Sequence, residues 1–187
     1  MKKLKKTLLA LALAFISTVI LFFIMGSFLP SKWSVERSIL INAMPAQIYP
    51  LVADFKTGWP QWSGFDLEDS SIHYTYSGPD NGIGTERSWT SNKMGDGSQK
   101  IIKADPQTGI EFELIMRQNP IPIAGKIVFE PLGNSTKVTW HDDGDMGKNI
   151  VFRYMAKFMD KMMGKIFETS LATLKSKAEQ NSEGLKK

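Results

Sequence analysis

The chain has 187 residues, a formal net charge of +4 and no cysteine, so disulfides and thiol chemistry are excluded. Four of its 23 basic residues lie within the first six positions, and the other 19 balance the 19 acidic residues. The basic excess therefore belongs to one short segment and does not indicate nucleic-acid binding.

The first predicted element is an apolar helix over residues 7–29. Residues 7–31 contain no ionisable side chain and follow a basic stub, residues 1–6. About 20 apolar residues cross a bilayer as a helix, and flanking lysines stay on the cytoplasmic side. The sequence therefore predicts a single-pass signal anchor in the cell membrane with an extracytoplasmic C-terminal domain, periplasmic in a Gram-negative cell. The alternative is a cleaved secretory signal, which has a shorter apolar core and a small-x-small cleavage site.

The roughly 150 residues after the anchor suit one domain, and its first half is predicted to be mostly β-strand. A β-branched run at 35–41 predicts a strand, Pro45 opens a short helix over 46–54, and 59–62 is an aromatic turn region. Alternation with a period of two between turn residues predicts further strands at 72–77, 85–91, 99–104, 110–116, 126–130 and 137–142. One apolar and one polar face per strand is typical of an antiparallel sheet covered on one side.

The last predicted element is one long helix over 148–178, which contains no proline. At about 100° per residue, one side of it is apolar and needs a partner, which the concave face of the sheet supplies. That apolar side consists of Phe152, Met155, Met159, Met162, Met163 and Ile166. Residues 180–187 form a polar tail.

The order of these elements is that of the helix-grip fold, an α+β architecture in which an antiparallel sheet wraps around a long C-terminal helix. Three groups of residues carry a resemblance to START-like (SRPBCC) domains of the polyketide cyclase/dehydrase type, over residues 33–179. They are residues 35–39, 41–43, Pro45, 52–54 and 59–62; then Gly78, Gly82, Gly84 and Trp89; then 138–140, 144–146, 159–162, 167–168, Leu171 and 174–175. The resemblance implies an apolar cavity between sheet and helix, and it supplies no invariant catalytic set.

Candidate ligand-binding residues are those expected to face this cavity. Methionine adapts to irregular apolar shapes, and pockets combine apolar walls with a few polar groups. The ordinary alternative for each residue is structural packing or a surface position. The candidates are Trp62, Tyr76, Arg87, Trp89, Phe112, Met116, Phe129, Trp140, Met155, Met159, Met162 and Met163.

Other chemistry finds little support in the sequence. Residues 141–145 do not fit a calcium loop of the EF-hand type, because the twelfth position holds Arg153 or Tyr154 where a glutamate is needed. We interpret this segment as a polar loop before the helix, with His141 pointing away from the apolar face, and expect no metal and no cofactor. No nucleophile elbow occurs. A buried carboxylate such as Glu86 or Asp142 stays open as an acid or base.

Basic residues recur every four positions on the predicted long helix, at Arg153, Lys157, Lys161 and Lys165. Like charges at this spacing slightly destabilise a helix. One explanation is attraction to anionic lipid headgroups, worth about 1 kcal/mol per residue. The other is a solvated face moderated by Asp160 and Glu168.

Three functional hypotheses follow. The first is a membrane-anchored domain that binds a hydrophobic small molecule or a lipid between sheet and helix. The second is a cyclase- or dehydratase-like enzyme that uses the same cavity, although no catalytic motif is visible. The third is an interaction module without a ligand.

Overall fold

The computed structural model describes residues 2–69 and 71–184, and over these residues the chain forms five α-helices, a 3-10 turn at Trp59–Gln61 and seven strands. The helices are α1 (Lys2–Ser27), α2 (Pro45–Ala53), α3 (Gly64–Glu68), α4 (Ile150–Ala156) and α5 (Met159–Gly184). The strands are β1 (Lys32–Ile41), β2 (His73–Ser77), β3 (Glu86–Thr90), β4 (Gly97–Asp105), β5 (Gly109–Met116), β6 (Asn119–Leu132) and β7 (Ser135–Asp145).

All seven strands belong to one antiparallel sheet with the order β1-β7-β6-β5-β4-β3-β2. Strands β2 to β7 pair with their neighbours in sequence through turns such as the one at Gly133, whose φ of +62° suits a residue without a side chain. Strand β1 completes the sheet by pairing with β7. The predicted α+β helix-grip fold, with an apolar helix before it, is confirmed.

The two ends of the sheet differ in their neighbours. Lys32 at the start of β1 lies opposite Asp145 at the end of β7. Only residues 28–31 separate this end from Ser27, the last residue of α1. We call it the proximal end and the opposite end, where β1 ends at Ile41, the distal end.

The inner face of the sheet is covered by α5, which runs from the proximal to the distal end along β1. Its fully buried stripe is Phe167, Leu171, Leu174 and Ala178, at the i, i+4, i+7 and i+11 positions that share one helix face. Arg37 of β1, which lies opposite Trp140 on the same face, holds the helix at the edge of the sheet through Asp160 (2.8 Å) and Glu168 (2.7 Å). These contacts fix which turn of α5 lies over which residues of the sheet.

Two details of the sequence interpretation are wrong. The predicted single helix over 148–178 is two helices, α4 and α5, which are separated at Lys157 and Phe158. Residues 141–145 are not a loop, because β7 continues to Asp145 in register with β1. The predicted orientation of His141 is confirmed: its ring lies between the carboxylates of Glu36 and Asp143, outside the core.

Helix α1 is long and apolar enough to cross a membrane by length and composition, and its most apolar stretch is not buried by the rest of the protein. Its last turns contact α4. The Tyr154 ring stacks on the Phe22 ring with centroids 4.4 Å apart, and its hydroxyl donates to the Phe22 carbonyl at 2.7 Å. Arg153 donates to the Ser27 carbonyl at 3.0 Å. Helix α4 therefore lies beside the end of α1 that adjoins the proximal end of the sheet.

Candidate functional site

Directly opposed residues of antiparallel strands point to the same side of a sheet. The side chains of the inner face therefore form rows that run across the strands. The first row contains Trp140, Ile127 and Ile110, which are all buried. The next row toward the proximal end opposes Asp142 with Gly125, and Gly125 with Phe112.

The third row is less covered than the first two. Leu114 opposes Ile123 on one side and Gln99 on the other. Leu114 and Ile123 are half-buried and pack on the core, while Gln99 is buried. Trp33 of β1, opposite Gly144 at the proximal end, is buried as well. In the third row the apolar side chains of Leu114 and Ile123 remain partly accessible.

Helix α5 adds two methionines above these proximal rows. Phe167 stacks on Trp140 with ring centroids 4.0 Å apart. One and two turns before Phe167, Met163 and Met159 lie about 6 and 12 Å further toward the proximal end. Asp142 lies about 7 Å from Trp140 in the same direction along β7. The methionines are thus at the level of the second and third rows.

We call the resulting surface the proximal cleft. Its members share half-buried apolar side chains at the proximal end of the inner face, and all except Met116 are in direct contact with the buried core. It comprises Leu114, Met116, Ile123, Met146, Met159 and Met163. Met146 joins it directly to the segment after α1, since its amide donates to the Ser31 carbonyl at 2.9 Å.

The middle of the space under α5, at the level of the first two rows, is filled by aromatic rings. Trp59 and Trp62 lie 4.7 Å apart by ring centroids, and each contacts Trp140, at 5.8 and 5.4 Å. Trp59 also meets Phe112 edge to face at 5.7 Å. All four residues are at most 2% exposed. A ligand on the inner face that does not displace these rings would lie against the side chains of the proximal cleft.

Asp142 is a carboxylate buried beneath this cleft, with 5% of the residue exposed. Its Oδ1 accepts a hydrogen bond from the Trp140 indole at 3.0 Å. Gly125 faces it, and a methyl group on Gly125 would overlap the Phe112 ring at 2.1 Å and approach Asp142 Oδ1 at 2.8 Å. Burial raises the pKa of Asp142 to about 7, although the indole hydrogen bond acts in the opposite direction. The group is able to exchange a proton near neutral pH.

A second polar cluster lies in the third row beside Leu114. Arg87 donates to Gln99 Oε1 at 2.9 Å and to Asp66 of α3 at 2.8 Å. The side chains of Arg87 and Asp66 are only 5% and 3% exposed. The guanidinium also lies about 5 Å from the centroids of the Phe55, Trp59 and Tyr74 rings. This cluster joins α3 to the sheet and closes one side of the inner face.

The structure divides the predicted ligand-binding residues into three groups. Trp62, Phe112, Phe129 and Trp140 are core residues, and Arg87 and Trp89 are also buried. Met116, Met159 and Met163 belong to the proximal cleft. Tyr76, Met155 and Met162 are exposed at 39%, 41% and 53%. Their part in binding a ligand stays a prediction.

Sequence reasoning did not name three members of the cleft as candidates, Leu114, Ile123 and Met146, and it left Asp142 open as a buried acid or base. Ile123 lies in a segment that Pro120 and Pro122 hide from strand prediction, yet it belongs to β6. Asp142 has the same parity as Val138 and Trp140, so period-two alternation already placed it on the apolar face. Leu114 was likewise on the predicted apolar face. Met146 carried no signal in the sequence pattern.

Surface cavities exist outside this cleft. One of about 420 Å³ lies where α2 meets the 3-10 turn, between Tyr49, Asp54, Gln61, Asn81 and Asn181. Another of about 420 Å³ lies at the edge formed by β2, β3 and β4 and includes polar outer-face residues such as Thr75, Ser88 and Ser98. Within residues 2–69 and 71–184, no three His, Asp or Glu side chains are grouped as metal ligands would be.

Comparison with known proteins gives a family model and a set of solved folds. Residues 32–179 match the family model described as polyketide cyclase / dehydrase and lipid transport. No curated protein matches the chain in sequence.

Among solved structures, the di-domain ARO/CYC StfQ of the steffimycin biosynthetic pathway aligns with a TM-score of 0.61 and 10% identity, over 81% of this chain and 52% of that one. Norcoclaurine synthase of Thalictrum flavum aligns with a TM-score of 0.56 and 14% identity, over 84% and 98%. The KanY protein aligns with a TM-score of 0.58 and 20% identity, over 79% and 98%. At these identities the likeness shows the fold alone.

Proposed function

The chain belongs to the family described as polyketide cyclase / dehydrase and lipid transport, and from this premise we propose that it is a membrane-anchored protein that takes a hydrophobic small molecule or lipid into the proximal cleft. In this proposal α1 crosses the bilayer with its lysines in the cytoplasm. The domain from β1 onward is extracytoplasmic and lies next to the membrane.

One observation supports this proposal most strongly: the incompletely covered, apolar part of the inner face is at the same end as α1. An apolar ligand concentrates in the bilayer, because transfer of a CH₂ group from water is favourable by about 0.8 kcal/mol. The segment of four residues between α1 and β1 keeps the cleft close to that reservoir. Packed rings fill the interior beyond the cleft, on the side away from the anchor.

A cyclase- or dehydratase-like enzyme is the second candidate, and Asp142 favours it. A single carboxyl group whose pKa is about 7, placed beneath an apolar cleft, has the properties of a general acid or base. StfQ and norcoclaurine synthase carry enzyme names on the same fold. Turnover of a bound compound that is lost in D142N would select this candidate over simple carriage.

Photolabelling of the full chain tests the proposal. The protein is reconstituted into nanodiscs with diazirine-bearing palmitic acid, irradiated, and mapped by peptide mass spectrometry. We expect label on Leu114, Ile123 and the 159–163 segment in addition to α1. Label restricted to α1 would contradict the proposal and would favour the third hypothesis, an interaction module whose interior is simply packed.

A further inference from the structure

Helix α4 has two different faces. Ile150 and Tyr154, four residues apart, face α1, and the space is so restricted that a methyl group on Gly26 would overlap Ile150 Cγ2 at 2.3 Å. The neighbouring face carries Val151 and Met155, which are 53% and 41% exposed. Exposed apolar residues continue along this face at the spacing of a helix into the start of α5.

Exposed apolar side chains also lie at the start of α5 and directly after α1. Phe158 and Met162 are 57% and 53% exposed, and Phe28 is 84% exposed. Several large apolar side chains exposed near one end of a domain indicate a surface that binds a membrane or another protein. We call Phe28, Val151, Met155, Phe158 and Met162 the apolar rim.

The position of α4 along α1 indicates what that partner is. Tyr154 donates to the carbonyl of Phe22, which is five residues before the end of α1 at Ser27. Five residues of helix correspond to about 7.5 Å. If α1 spans the bilayer, α4 therefore lies at the depth where interfacial helices bury their apolar faces, about 5–10 Å into the headgroup and acyl boundary.

The charged side chains near the apolar rim also suit a lipid surface as the partner. Lys148, Lys157 and Lys161 are exposed around the apolar rim. Asp160 and Glu168, the acidic residues expected to moderate the lysines, are instead engaged with Arg37 of β1. The lysines are thus available to anionic headgroups, each worth about 1 kcal/mol near such a surface.

We propose that α4 and the first turn of α5 insert their apolar rim into the outer lipid leaflet beside α1, and so hold the proximal cleft open toward the bilayer. Met155 and Met162 of the predicted ligand set contact membrane lipid in this arrangement. The inference rests on the proposed membrane anchoring and adds a second, peripheral membrane contact to it.

The absence of cysteine allows a direct test in the full chain. M155C and F158C are each labelled with the fluorophore NBD and reconstituted into liposomes that contain anionic lipid. Q107C is the matched control, since Gln107 is exposed in the turn between β4 and β5 at the distal end. We expect blue-shifted emission from the rim labels, quenching by lipids spin-labelled near the top of the acyl chain, and iodide quenching several-fold weaker than for Q107C.

Iodide quenching of the rim labels equal to that of Q107C would overturn the proposal. So would self-quenching that depends on protein density without quenching by spin-labelled lipid, because it would assign the rim to a second copy of the chain. Failure of the proposed ligand function has a different signature: the rim labels stay buried in lipid while diazirine-bearing palmitic acid fails to label the proximal cleft.

Discussion

Asp142 lies in an environment that disfavours the charge its side chain carries in water. An aspartate that is ionised at neutral pH when exposed is here under apolar side chains, with one indole N–H as its hydrogen-bond donor. Burial disfavours the charged form, which is why the pKa rises to about 7. The free-energy cost of burying a carboxylate is expected at a functional position rather than at one selected for stability.

This shift predicts a specific pH dependence of stability. Between about pH 4 and pH 7 the folded state keeps the Asp142 proton, whereas the unfolded state loses it. The free energy of unfolding therefore falls as pH rises, and this group contributes about 1.4 kcal/mol per pH unit. D142N keeps an acceptor for Trp140 and removes the titration. Denaturant unfolding at pH 5 and pH 8 should show that D142N gains stability over the parent protein toward pH 8. An unchanged difference across this range would contradict the account.

Arg87 and Asp66 provide the second prediction at this scale. Both side chains are nearly fully buried, so R87M leaves an uncompensated carboxylate in the interior. Breaking a buried pair in this way costs about 3–5 kcal/mol. The matched surface control is the Lys100–Glu86 pair on neighbouring strands. Its charged atoms are 3.5 Å apart, and the two side chains are 55% and 34% exposed. K100M should therefore lower the free energy of unfolding by well under 1 kcal/mol. Equal losses of unfolding free energy in the two variants would show that burial of the Arg87 cluster is not what stabilises it.

At the scale of elements, the break between α4 and α5 is the feature that sequence periodicity did not reveal. Residues 148–178 lack proline and keep an apolar stripe, so one helix was the simplest prediction. The predicted stripe is not the buried one, since Met155 and Met162 are exposed. Phe167 and Leu171 pack on the core instead, while Ile150 and Tyr154 pack on α1. Periodicity shows that a face is apolar but not which surface will cover it.

Gly26 allows the contact between α1 and α4 to be tested. In G26L the new side chain occupies the position of Ile150 and Tyr154, so the ring stacking and the hydrogen bond to Phe22 are lost, about 1–3 kcal/mol together. Hydrogen exchange of the α4 amides in nanodiscs should accelerate about tenfold or more. M25L is the control, because Met25 is 62% exposed, and exchange in the sheet should be unchanged in both variants. Equal α4 exchange in G26L and M25L would argue against the docked arrangement.

At the scale of the whole molecule, the sequence predicted the fold better than the site. Alternation along the strands and the order of elements identified seven strands and a closing helix, because each strand carries its own local signal. The site depends on how much of the inner face the helix covers, which is a non-local property. Trp62, Phe112 and Trp140 look the same in sequence whether they border a cavity or fill it. Here the rings of Trp62 and Trp140 contact each other, and the Phe112 ring contacts Trp59.

The whole arrangement is graded from a closed distal end to a partly open proximal end beside the anchor. Packed rings in the middle of the interior stabilise the domain, and methionines with aliphatic neighbours at the proximal end leave adaptable apolar surface. We therefore expect a ligand to enter from the membrane side and to contact Asp142 only at the inner limit of the cleft.

The most direct measurement compares two neighbouring tryptophan substitutions on β5. L114W places its ring in the proximal cleft, whereas I115W places the same ring on the outer face, where Ile115 is 37% exposed. Diazirine-bearing palmitic acid is photolysed with each full-length variant in nanodiscs, and the label on residues 159–163 is quantified after circular dichroism has shown both to be folded. Our account predicts that L114W loses this label several-fold while I115W keeps it. Equal labelling of the two variants would contradict it.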